Sequence, residues 1–169
     1  GRVLEDGTLL ISRFDGWYRA RADGSDQVKI AELGWAGAVA RDNRRVAGVT
    51  NRINGRYQVA ILPLDGTQPS QAFDIVNIPP LLGWAPSGDA VTYLETRHGP
   101  HSLWTQPLDG SPPKPLLDPG GDRIFNFAWS DDGRLAVAAT TDEHDARRTQ
   151  DVLTVARLAW PGPADRGLI

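Results

Sequence analysis

Ser130, Asp131 and Asp132 stand together in "FAWSDDGRLAVAA", residues 127–139. A serine hydroxyl beside two carboxylates could act as a nucleophile with an acid–base helper, or the two acids could form half of a cation loop. The histidines form a second group. His98 and His101 are three apart in "RHGPH", and His144 follows Asp142 and Glu143 in "TDEHDARR". Imidazoles with a carboxylate make a zinc-type donor set, so His98, His101 and His144 with Glu143 or Asp142 are the metal candidates. Tryptophan is the third group: Trp17, Trp35, Trp84, Trp104 and Trp129 could supply stacking surfaces for a sugar or base.

Whether these residues do chemistry depends on how often their setting recurs. Asp-Gly occurs at Asp6-Gly7, Asp23-Gly24, Asp65-Gly66, Asp109-Gly110 and Asp132-Gly133. One kind precedes an apolar run, as in "DGTLLIS" and "DGRLAVAA"; "ARDNRRVAGVT" and "WAPSGDAVTYL" fill the same slot. Val3, Val39, Trp84 and Trp129 then share a column, at spacings of 36, 45 and 45. The other kind follows an alternating run, as in "RYQVAILPLDGT", with Asp23, Asp65 and Asp109 spaced by 42 and 44. A decayed copy is "DVLTVARLAWPG". A device repeated at one place in a repeat is structural, so these Asp-Gly pairs are read as turns. The carboxylate accepts backbone N–H groups and glycine supplies a positive φ. Ser130 is thereby moved from machinery to turn.

The same comparison weakens the other groups. Gly99-Pro100 separates the two nearby histidines, so they do not share a helical face. Trp84, Trp104 and Trp129 sit at regular places and are assigned to packing between sheets, whereas Trp17 and Trp35 are irregular and either could be exposed. No G-x-S-x-G, P-loop, G-x-G-x-x-G, H-E-x-x-H or EF-hand pattern occurs in the sequence.

The elements that must position these residues are short strands. The chain divides into units of about 1–33, 34–75, 76–119 and 120–169, each reading strand, Asp/Gly turn, strand, variable loop, strand, tight turn, short strand. Repeats of about 40 to 50 residues with four short strands are the pattern of a propeller blade. The fold expected is all-β: a β-propeller segment of about four consecutive four-stranded blades, within a ring of about six to eight. The first unit starts too late to contain its inner strand, and Glu143 to Gln150, the best helix candidate, falls in a variable loop.

The composition agrees with one soluble domain: 169 residues, 40% hydrophobic and 23% charged, with 18 Gly and 13 Pro to punctuate it. A net charge of −3 argues against nucleic acid as partner, and no apolar run is long enough for a helical span, so no membrane contact is expected from this segment. Cysteine is absent, which excludes disulfides and thiolate sites. Methionine is absent too, even at position 1, so the chain is expected to be a piece of something longer.

At "WSDDGRLA" followed in the other copies by "LWTQPLDGSPPKPL", the sequence resembles TolB-type, WD40-like propeller repeats. Asp131 stands where that pattern usually has proline, Pro86 is retained in "APSGD", and "VARDNRR" lacks both the aromatic and the glycine. The resemblance implies a non-catalytic module for protein–protein interaction or ligand sensing, without a cofactor, in a periplasmic or other extracytoplasmic setting. Its partner would be a protein or small ligand at a loop face, with a second copy or the rest of the same propeller covering exposed blade edges. The alternative is the gating propeller of a prolyl-oligopeptidase-like serine hydrolase whose catalytic domain lies outside this chain.

Overall fold

A computed structural model describes residues 2–50, 56–65, 67, 71–75, 81–95, 102–118, 120 and 122–141. All regular structure among them is β. The first sheet contains β1 (Arg2–Val3), β2 (Leu9–Arg13), β3 (Gly16–Ala20) and β4 (Val28–Ala31). The second contains β5 (Leu33–Val39), β6 (Arg45–Thr50), β7 (Tyr57–Pro63) and β8 (Gln71–Ile75). The third contains β9 (Leu82–Trp84), β10 (Ala90–Glu95), β11 (Ser102–Pro107) and β12 (Lys114–Leu117), and β13 (Asp122–Trp129) pairs with β14 (Leu135–Thr141). Every sheet is an antiparallel meander in which spatial order follows chain order. The inner strand of the first blade is thus reduced to two residues rather than missing altogether.

Side chains alternate between two neighbours because successive Cβ atoms leave opposite faces of a strand. In the second sheet Val46, Ala60, Leu62 and Leu64 pack with Leu4, Leu10 and Trp17 of the first. The intervening Ala47, Val49, Val59 and Ile61 pack with Trp84 and Val91 of the third. Leu94 and Leu103 of the third sheet close on Ile124, Leu135, Val137 and Ala139 of the fourth. Each core therefore lies between two successive sheets. At about 25 cal/mol per Å² of apolar surface, each buried Val, Leu or Ile contributes roughly 1.5–3 kcal/mol.

Trp17 is buried at 6% exposure, where its irregular sequence position had left it open. Gly37 is the reason: a Cβ there would stand 2.5 Å from Trp17 Cζ2 and 2.9 Å from the Ala47 carbonyl. The indole reaches from β3 over the glycine backbone of β5. The side chain of Trp35 lies outside the described residues.

Candidate functional site at the convergence of the first strands

The column of Val3, Val39, Trp84 and Trp129 ends each first strand at the same turn. Leu4 N donates to Thr8 O and Gly7 N to Leu4 O, at 2.8 and 3.0 Å. The same pair of bonds recurs at Ala40 and Asn43, at Ala85 and Gly88, and at Ser130 and Gly133. Gly7, Gly88 and Gly133 have φ of 78°, 72° and 81°, and Asn43 takes φ 52° where the glycine is replaced. Asparagine tolerates this left-handed region better than other side chains.

The carboxylates fit these turns in two ways. Asp6 Oδ1 accepts the Thr8 N–H and hydroxyl at 3.0 and 2.6 Å, and Asp23 does the same with Ser25. Asp65 Oδ1 accepts the Thr67 N–H and hydroxyl, and Asp109 the Ser111 N–H. These bonds to the charged form hold all four carboxyls below their ordinary value; the threonine or serine hydroxyl dominates at Asp6 and Asp23, the backbone N–H at Asp65 and Asp109. Gly24 and Gly110 follow with φ of 82° and 87°; Gly66 lies outside the described residues.

Asp132 differs, because the Arg134 N–H is taken by Ser130 Oγ at 2.9 Å. Ser130 instead donates to Asp132 Oδ1 at 2.5 Å, and the Arg134 guanidinium pairs with Asp132 Oδ2. Arg134 first, then Ser130, drives the Asp132 carboxyl far below the usual range. The serine hydroxyl is held within its own turn.

The sequence-selected tryptophans have separate roles. Trp84 is buried, donates its indole N–H to the Ala38 carbonyl at 2.8 Å, and carries the Arg45 guanidinium 4.9 Å above its ring. Arg45 also donates to the Gly88 carbonyl at 3.0 Å and pairs with Asp42, tying the second sheet to the third. Trp129 is half-buried and donates to Thr92 Oγ1 at 3.1 Å, and Trp104 donates to Ser102 Oγ at 3.0 Å. His98, His101, His144, Asp142 and Glu143 lie outside the described residues. Among the described residues no three His, Asp or Glu side chains are grouped to hold a metal.

All four first strands meet at a cavity of about 280 Å³. Its walls include Val39, Leu82, Trp84, Phe127 and Trp129, with Arg2 and Arg41 as its cationic members. Phe127 rests against the Gly83 backbone, where a Cβ would approach its ring to 2.9 Å. Arg41 reaches from the second sheet past the third to the fourth. Its guanidinium donates to the Ser130 carbonyl at 2.6 Å, more weakly to the Trp129 and Asp131 carbonyls, and pairs with Asp131 Oδ1 at 3.2 Å. A larger cavity of about 430 Å³ between the first and second sheets is lined by Glu5, Asp6, Asp42 and Asp65 with Arg19, Arg44 and Arg45. There Arg19 and Arg45 are already paired with Asp6 and Asp42, so its charges are largely answered from within.

Sequence reasoning named Trp84 and Trp129 but missed Arg2, Arg41, Leu82 and Phe127. The usable signal was proximity: each of the four lies within two residues of the shared column.

No protein-family model matches the sequence, and no curated protein matches it. Solved structures do. TolB from Acinetobacter baumannii is similar at 16% identity and a TM-score of 0.62, over 80% of this chain and 36% of that one. The tricorn protease structure is similar at 14% identity and a TM-score of 0.65, over 86% of this chain and 14% of that one. The nidogen/laminin complex is similar at 17% identity and a TM-score of 0.59, over 82% of this chain and 54% of that one. The chain thus spans about a third of the TolB chain's length. The fold is all-β, a β-propeller segment of about four blades.

Proposed function

We propose that this segment is a non-catalytic binding module, which engages a small ligand or a protein partner where the first strands of its blades converge. One observation carries the reading: four consecutive sheets contribute to one concave surface with aromatic walls and guanidinium groups. Ligand pockets of propellers and other β-folds are largely apolar with a few placed polar groups, and this cavity is just below the usual range of about 300–1,000 Å³. The Asp-Gly turns hold the strand ends, and selectivity falls to the side chains beside them. A further blade, from the same propeller or a second copy, covers the open face of the first sheet, where Val3 is 64% exposed.

Ala128 is exposed and lines the cavity, so Ala128→Trp fills it without disturbing a core. Binding of a captured ligand or partner is expected to be lost in this variant while the unfolding midpoint stays unchanged. Turnover of ester, peptide or phosphate substrates by the parent chain, abolished by a single substitution, overturns the reading.

A further inference from the structure

We infer that the cavity between the first strands takes a carboxylate carried on an apolar body, and that Asp131 competes with that carboxylate for Arg41. The inference rests on the binding-module reading and names the ligand class of the same site.

The charge balance of the cavity is one-sided. Arg2 and Arg41 line it and, among the described residues, no acidic side chain does. Arg2 is exposed and has no ion pair or hydrogen bond among the described residues. Arg41 has Asp131 as its acidic partner, but the Asp131 side chain is fully exposed and lies outside the lining. An ion pair with a fully solvated acid is weak and readily exchanged.

The walls select the rest of the ligand. Both indole N–H groups are already spent, Trp84 on Ala38 O and Trp129 on Thr92 Oγ1. Val39, Leu82 and Phe127 offer no polar atom from their side chains, so the polar handles are the guanidiniums. An aryl or branched alkyl body satisfies such walls, and a cation would face two like charges. A carboxylate presents two oxygens in one plane, which a guanidinium meets with two parallel N–H bonds. A phosphate would pair with the same guanidiniums but would bring further charged oxygens against apolar and aromatic walls, at a cost in desolvation.

Asp131 makes the competition specific. It stands where the repeat pattern usually has proline, which has no carboxylate to offer Arg41. The carbonyls of Trp129, Ser130 and Asp131 hold the guanidinium in place whether or not the Asp131 carboxylate is engaged. An incoming carboxylate therefore exchanges one ion pair for another without moving the turn.

The test is calorimetric titration of the whole chain with 3-phenylpropionate, its primary amide and phenethylamine at low salt. The carboxylate is expected to bind about tenfold or more tighter than the amide, as a charge-assisted hydrogen bond requires, and the amine to give no binding heat. Arg2→Gln, at an exposed site without partners, should erase most of the preference for carboxylate over amide. Asp131→Asn should raise carboxylate affinity severalfold and leave the amide unchanged. Equal binding of carboxylate and amide, or an Asp131→Asn variant indistinguishable from the parent, overturns the inference. If none of the three probes binds while another ligand or partner is still blocked by Ala128→Trp, this ligand class is refuted and the binding-module reading stands.

Discussion

In β6 of the second sheet, Val46, Ala47, Gly48 and Val49 are buried in succession; in β2 of the first sheet, Leu10 alone is buried. The two strands hold the same place in their blades and leave the same kind of turn. What separates them is company. The second sheet is covered on both faces, by the first and by the third, so the alternation of its side chains feeds two cores at once. The first sheet packs only its Leu10 and Trp17 face, and on the other face Leu9, Ile11 and Tyr18 stay half-buried and Val3 exposed. A blade is thus not a self-sufficient unit, since its stability resides in the interfaces it shares.

Matched isoleucines give the strongest way to break this comparison. Ile61→Ala in the second sheet is expected to cost about 2–5 kcal/mol, the range for truncating a fully buried aliphatic side chain. Ile11→Ala, on the open face, should cost less than about 1.5 kcal/mol, since little of the side chain leaves an apolar setting. Chemical unfolding of both variants decides it, and equal costs would contradict the interface account. Next in size is Gly37→Ala, where the new Cβ strikes both the Trp17 ring and the Ala47 carbonyl. It should lose about 1–3 kcal/mol through overpacking, with a change in tryptophan fluorescence reporting displacement of Trp17.

The turns sharpen the comparison from the other side, because they are alike in both sheets. Gly7→Ala at φ 78° in the first sheet should cost about 1–2 kcal/mol. Asn43→Ala should behave similarly, with the added loss of the Asn43 side-chain bond to Glu5 Oε1 at 3.3 Å. Asn43→Gly should be nearly neutral in thermal melts, which would show that conformation, more than the side chain, is what the position demands.

The smallest effect is with acid. Asp6, Asp23, Asp65, Asp109 and Asp132 all titrate below their ordinary value in the folded chain. Unfolded aspartate titrates near 3.9. The turn carboxylates therefore contribute their full stability above that value and lose it as pH falls through the lower folded values. An acid titration of the unfolding midpoint should be flat above about pH 5 and decline below about pH 4, with a shallower decline in Asp65→Asn.

The blade register was legible in the sequence because the turns repeat chemically: an acid, a residue that accepts positive φ, then an apolar strand. Even the degenerate "VARDNRR" keeps the register, through Asn43. Two things were not legible. Burial of Trp17 depends on a missing side chain at Gly37, twenty residues away on another sheet. The cavity between first strands depends on Arg41 meeting carbonyls some ninety residues along the chain, and backbone carbonyls have no sequence signature. The histidine-bearing loops lie outside the described residues, so the metal candidates drawn from them remain expectations.

Arg41 also alters how the chain should be counted as a statistical object. A stack of repeats that touch only their neighbours melts like a one-dimensional array, with interface energies that simply add. The guanidinium joins the second repeat to the fourth over the head of the third. Formation of that link closes a loop of 89 residues, so it rewards only molecules in which the intervening repeat is already in place. The link makes the free energies of the second, third and fourth repeats non-additive, whereas the first repeat is coupled to them through the core it shares with the second.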